Sequence, residues 1–130
     1  MIVKFAVSGG DKTLNQVYKE MIHNHRCKEN YDRIYNNFIK DILGYKCIKD
    51  LTSNDIDYFY MYLTNRTYNG HLYSQSYIRK IMNLLKNIFD YGIKNKYINT
   101  NLVKIVFYEN LLIKIKFVAI LNLGWFNEKD

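Results

Sequence analysis

The chain has 130 residues, a formal charge of +7 and a pI near 9.3, with 48% hydrophobic residues, no proline and 13 tyrosines. That length predicts one domain with one modest core. Cys27 and Cys47 are too few for a disulfide scaffold, and Lys114 and Lys116 interrupt the longest apolar run short of the ~18 residues a membrane span needs.

Met1 to Gly10 holds a short apolar run without the h-region of a signal peptide, so a cytoplasmic location is expected. Residues 1–12 read as a lead that ends in the turn-rich Ser8-Gly9-Gly10-Asp11. Thr13 is placed to cap a first helix, in which Leu14, Val17, Tyr18, Met21 and Ile22 form a stripe reaching about Arg26. A second helix is predicted from Glu29 to Leu43, with Tyr31, Ile34, Tyr35, Phe38 and Ile42 on its apolar side. Its other side carries Arg33, Asn36, Asn37 and Lys40.

Gly44 is expected to end that helix as a C′ residue, and Gly44 to Leu51 reads as a connection rather than an element. In Thr52-Ser53-Asn54-Asp55 a hydroxyl precedes a carboxylate by one helical turn, a capping box with Asp in place of Glu. The third helix follows to about Arg66 and buries Ile56, Phe59 and Leu63. Asn69-Gly70 signals a turn, after which Ser74 or Ser76 caps a long helix. Its apolar side holds Ile78, Ile81, Met82, Leu85, Ile88, Phe89 and Ile93, while Gln75, Ser76, Arg79, Lys80, Asn83, Lys86, Asn87 and Asp90 occupy the polar side. The pattern predicts an all-α fold, a bundle of four or five helices spanning 13–102.

From Val103 the period changes. Ile113 to Phe117 alternate as a strand would, a hairpin about Glu109-Asn110 is compatible, and so is a helix on Leu112, Ile115, Ala119 and Ile120. Residues 103–130 are therefore set apart as a tail of open conformation. Its apolar Val118 to Leu121 must dock on the bundle or mark an incomplete end.

Lysine and arginine interleaved with tyrosine and asparagine suit a polyanion, because cations displace counterions from phosphates while amides and phenols bond phosphates or base edges. An AT-rich coding sequence yields the same excess of Ile, Asn, Lys and Tyr, and net charge alone speaks to non-specific binding. Other constellations have simpler readings. His23, His25, Cys27 and Cys47 match no common zinc spacing, so no metal or other cofactor is expected. Asp55 is better explained as helix N-terminal charge than as the partner of Asp57 in acid–base work. Tyr58, Tyr60, Tyr62, Tyr68 and Tyr73 read first as packing and bundle edges, with base stacking as the alternative.

The ordered set Tyr31, Ile42-Leu43-Gly44, Ile48-Lys49-Asp50-Leu51-Thr52, Asp55-Ile56, Phe59, Leu63, Ser76-Tyr77-Ile78, Leu85 to Asn95 and Tyr97-Ile98 resembles the N-terminal core-binding domain of phage and transposon integrases of the tyrosine recombinase family. In that family the connection reads Leu-Gly, a few residues, then Ile-x-Asp-Ile-Thr-x-x-Asp-Ile, and the last helix leads into Asn-Pro-hydrophobic. The likeness covers about 13–103. It implies a SAM-like module that clamps one face of a double-stranded DNA half-site, with side chains of the second and long helices in the major groove or on phosphates. Those two helices are the ones with basic faces. The expected DNA contacts are Arg33, Asn36, Asn37 and Lys40 from the second helix and Ser76, Arg79, Lys80, Asn83 and Lys86 from the long one, with both faces turned the same way.

Two departures shape the expectation. Asn101-Leu102 stands where the family has Asn-Pro, so the stiff break before the tail is missing. The family's catalytic arginine, lysine, His-x-x-Arg pair and nucleophilic tyrosine also have no counterpart to carry over. His23-Asn24-His25-Arg26 spells His-x-x-Arg, but within the first helix and without activating partners. The chain is thus expected to bind DNA without being an enzyme, with no small-molecule substrate and no membrane partner. A module pairing with full-length integrase or with itself, or a non-functional remnant, is the alternative.

Overall fold

A computed structural model describes the backbone of residues 11–129, and their side chains except at 108–111, 113–114 and 122–129. Residues 1–10 of the expected 1–12 lead and the side chain of Lys114 lie outside what is described, whereas the hairpin expected about Glu109-Asn110 is replaced by continuous helix. The fold is an all-α bundle with one small hairpin. In chain order it comprises α1 (Leu14–Ile22), α2 (Lys28–Ile34), a π-helical turn (Tyr35–Ile39), α3 (Lys40–Leu43), a 3-10 turn (Ile48–Asp50), α4 (Ser53–Asn65), β1 (Thr67–Tyr68), β2 (His71–Leu72), α5 (Gln75–Lys94) and α6 (Leu102–Lys129).

Caps set the helix starts. Thr13 accepts from the Gln16 amide at 3.2 Å while Gln16 Oε1 accepts from the Thr13 amide at 2.9 Å, and Thr52 with Asp55 repeats the arrangement at 3.2 and 3.0 Å. Each box satisfies two amides that the first helical turn leaves unpaired. Ser74, rather than Ser76, caps α5 by accepting from the Tyr77 amide at 3.1 Å. α1 ends at Ile22, so His23 to Arg26 form an exposed turn outside the helix expected to hold them.

The core lies around α5, which packs against α1, the π turn, α4 and α6. Ile78, Ile81, Met82, Leu85, Ile88 and Phe89 are buried as the helical spacing predicts, and Leu84 joins them. Ile93 does not belong to this side. It is 36% exposed, and the buried position at that turn is Gly92. The segment expected as a single second helix contains the π turn, whose extra residue per turn advances the register. Ile39 is consequently fully buried, while Ile42, predicted on the apolar side, is only half-buried.

Gly44 ends α3 with right-handed φ −65° and ψ −25°, not in the left-handed conformation expected of a C′ glycine. Its role is close approach: a Cβ there would run into Asn15 Oδ1 and the Lys40 carbonyl. The Gly44 carbonyl accepts from the Asn15 amide at 3.0 Å and the Lys46 carbonyl from Leu14 at 2.9 Å, while Ile48 donates to the Lys12 carbonyl at 2.8 Å. The 44–48 connection is thereby bonded along the start of α1.

Asn69-Gly70 makes a two-residue hairpin turn, both φ positive at 52° and 81°, with Thr67 opposite Leu72 and Tyr68 opposite His71. Beyond residue 101 the chain is helical, not strand-like, and 102 is no structural boundary, since Val103 and Val106 of α6 lie in the core at 0% and 2% exposure. Leu112 and residues 115–121 are exposed. Among the described residues, no helix is long and apolar enough to cross a membrane.

Candidate nucleic-acid interface

α2 and α5 meet along a groove of about 410 Å³ lined from α2 by Asn30, Tyr31, Arg33 and Ile34 and from α5 by Tyr77, Lys80, Asn83, Leu84 and Asn87, with Cys27 at its end. Three of the predicted contacts, Arg33, Lys80 and Asn83, converge here. Asn30 and Asn87 complete the polar wall. Asn30 stands one turn before Arg33 and Asn87 one turn after Asn83, so helical spacing alone places both beside predicted contacts.

The other predicted residues fall outside this groove. About 100° separates successive residues on a helix, so Arg79 and Lys86 lie roughly 100° and 120° from Lys80, rotated away from the side where Tyr77 and Leu84 face α2. Lys86 lies on the flank toward α6, where its carbonyl accepts from Asn101 Nδ2 at 3.0 Å and its ammonium stands 3.8 Å from Asp90. Ser76 is exposed on the N-terminal turn of α5. Asn36, Asn37 and Lys40 are exposed around and after the π turn, and the Asn37 carbonyl accepts from Arg66 Nη1 at 3.0 Å. The two cationic faces are therefore joined at Arg33 and Lys80, not along their whole length. The π turn, which begins two residues after Arg33, breaks the regular helical register before Asn36, Asn37 and Lys40 are reached.

Charge pairing separates the groove's cations from many others. Lys12 bonds Glu20, Lys28 bonds Asp32 at 2.7 Å, Lys46 bonds Asp55 at 3.1 Å, Lys49 bonds Asp11, and Lys104 lies 3.3 Å from Asp90. Arg33 and Lys80 have no carboxylate partner among the described residues, and no acid lines the groove. Asp32, one residue before Arg33, is engaged on its own side: Lys28 and the Tyr18 hydroxyl, which donates at 2.6 Å, hold its carboxyl below the ordinary range. Burial pushes the Tyr18 phenol well above its ordinary value, so it stays a donor. The groove is thus left net cationic, with amides that can both donate and accept.

The remaining sequence candidates have structural employments. His25 Nδ1 accepts from the Cys27 amide at 3.0 Å, and Cys47 Sγ lies 3.8 Å from the Asp11 carbonyl. No group of three or more His, Cys, Asp or Glu side chains among the described residues is arranged to hold a metal ion. Asp55 serves the α4 capping box. Burial pushes its carboxyl up, but the Thr52 amide and Lys46 outweigh this and leave it below its ordinary value. Of the tyrosine-rich patch, Tyr60, Tyr62 and Tyr73 pack on the core, whereas Tyr58 and Tyr68 are 68% and 63% exposed.

Comparison with protein-family models, with curated proteins and with solved structures finds no match.

Proposed function

We propose that this chain binds duplex DNA through the α2–α5 groove, in the manner of the core-binding domains of tyrosine recombinases that its sequence resembles, and performs no strand exchange itself. The observation that carries the reading is the convergence of Arg33, Lys80, Asn30, Asn83 and Asn87 from two helices. None of the five has a side-chain hydrogen bond or ion pair to another described residue, and no acid shares the groove with them. Free cations beside free amides are the chemistry of a phosphate backbone with base edges next to it. Asn36, Asn37, Lys40, Ser76, Arg79 and Lys86 would flank the strand on either side as outer contacts.

Fluorescence anisotropy of a labelled duplex, titrated over a range of salt, tests this. Affinity should fall steeply with salt, and Arg33→Ala and Lys80→Ala should each lower the log–log slope by about one. Lys46→Ala, which removes a cation already paired with Asp55, should leave the slope nearly unchanged. Binding that ignores salt, or that survives Arg33→Ala with Lys80→Ala intact, would remove the assignment.

One observation favours a second reading, self-association. Ile115, Phe117, Val118, Ile120 and Leu121 of α6 are 53% to 66% exposed, with Lys116 the one charge between them. Together with Leu112 they expose on the order of 600 Å² of apolar surface, at the upper end of the largest patch a typical monomer leaves in water and approaching one partner's share of a standard interface. The occupant that fits is a second copy of the same helix.

A further inference from the structure

Tyr77, which lines the groove, is also the inner member of an aromatic ladder. Its ring stacks on Tyr73 with centroids 5.4 Å apart and planes 17° from parallel, and Tyr73 meets Tyr68 at 6.1 Å and 34°. Phe38 closes the inner end, edge-on to Tyr73 and Tyr77 at 5.3 and 5.7 Å. Exposure rises along the ladder from Phe38 at 4%, through half-buried Tyr77 and Tyr73, to Tyr68 at 63%.

The outer rung is held in place. Tyr68 opposes His71 in the hairpin, and its ring meets that of Tyr73, the residue that follows β2. At the root of the hairpin Arg66 donates to the Asn37 carbonyl and lies over the Phe38 ring at 4.5 Å and the Tyr62 ring at 5.7 Å, which ties the hairpin to α4 and the π turn. Core packing accounts for Phe38, Tyr73 and Tyr77. It does not account for a ring presented on a tethered hairpin in line with a cationic groove.

We infer that the ladder extends the groove as a stacking track, and that Tyr68 takes the face of an unpaired nucleobase on a strand whose phosphates lie along Arg33 and Lys80. This rests on the reading of the groove as a nucleic-acid interface. Stacking on a side chain needs a free π-face, which paired bases inside a duplex do not offer, so the track selects single-stranded or unpaired segments beside a duplex. The ligand class is set by the two kinds of contact together: cations for the backbone, a ring for the base.

Anisotropy with a short labelled single strand and with its blunt duplex tests the inference on the full chain. Tyr68→Ala should weaken single-strand binding about fivefold or more and leave blunt-duplex binding within about twofold. Tyr68→Phe should bind as the unaltered chain does, because the ring and not the hydroxyl is required, and Tyr68→Leu, apolar without a π-face, should behave as Tyr68→Ala. Far-UV circular dichroism confirms that each variant is folded. If Tyr68→Ala binds single strands normally while Arg33→Ala with Lys80→Ala still loses duplex binding, the stacking track is wrong and the groove reading stands. If the unaltered chain binds neither form at low salt, both fall.

Discussion

Asn101 shows how much one side chain can carry. It is 7% exposed, donates to the Lys86 carbonyl at 3.0 Å and to Asp90 Oδ1 at 2.8 Å, and accepts from the Val103 and Lys104 amides at 3.1 and 3.3 Å. It is both the N-cap of α6 and the staple between α6 and α5. Leu102 accordingly occupies the first helical position, the site where a proline is tolerated best, so the chain breaks direction here through an asparagine cap and needs no proline. Asn101→Ala should cost about 2–3 kcal/mol in urea denaturation, since it removes the cap and leaves two acceptors short of a donor. Asn101→Asp keeps the cap but sets a carboxylate against Asp90. Its loss should be greatest near neutrality and should shrink in acid, as one proton comes to be shared between the two carboxyls. Equal losses for the two variants at every pH would argue against this geometry.

At the scale of elements, the π turn and α6 hold the two departures from regular pattern. The π turn brings Tyr35 flat against Tyr18, with centroids 3.9 Å apart and planes 3° from parallel, and turns Phe38 toward Tyr73 and Tyr77. It thus connects the α1 core to the aromatic ladder. α6 begins as an amphipathic helix, with Val103 and Val106 buried, and continues with apolar residues on nearly every side. A helix that is apolar all round is stable when something covers it. Sedimentation of the chain without DNA should show a concentration-dependent dimer, and Ile115→Lys with Ile120→Lys should return it to monomer. A monomer at all concentrations would leave duplex binding as the sole reading.

For the whole molecule, the carboxylates that pair with lysines set the response to acid. Lys12 and Tyr97 hold Glu20 below its ordinary value, as Lys28 and Tyr18 hold Asp32. At Asp90, burial raises the carboxyl, but Asn101, Lys104 and Lys86 outweigh it and the net direction is down. A carboxyl whose folded pKa lies below its unfolded one contributes stability in full above the unfolded value, near pH 4, and loses it as pH falls through the folded value. Urea midpoints should therefore be nearly flat from neutrality to about pH 5 and drop below about pH 4. A midpoint that held steady down to about pH 2 would contradict the pairing.

Helix starts, the all-α class and most of the core were legible in the chain, because caps and three-and-four spacing are local physics: Thr13 with Gln16, Thr52 with Asp55, and Ile78 to Phe89 act within a turn or two of themselves. The turn into α6 was not legible, because no proline marks it and Asn101 works through Lys86 and Asp90, which are remote in sequence. The candidate site divides the same way. Periodicity finds that α2 and α5 have basic faces, and free cations can be guessed from the scarcity of acids nearby. Only packing decides that Arg33 and Lys80 share a groove while Lys86 lies on the flank toward α6, because these neighbours are remote in sequence and meet only in the folded bundle. The ladder from Tyr77 to Tyr68 is likewise tertiary: a local pattern lists tyrosines, but ring faces align only once a hairpin is tied back onto the bundle.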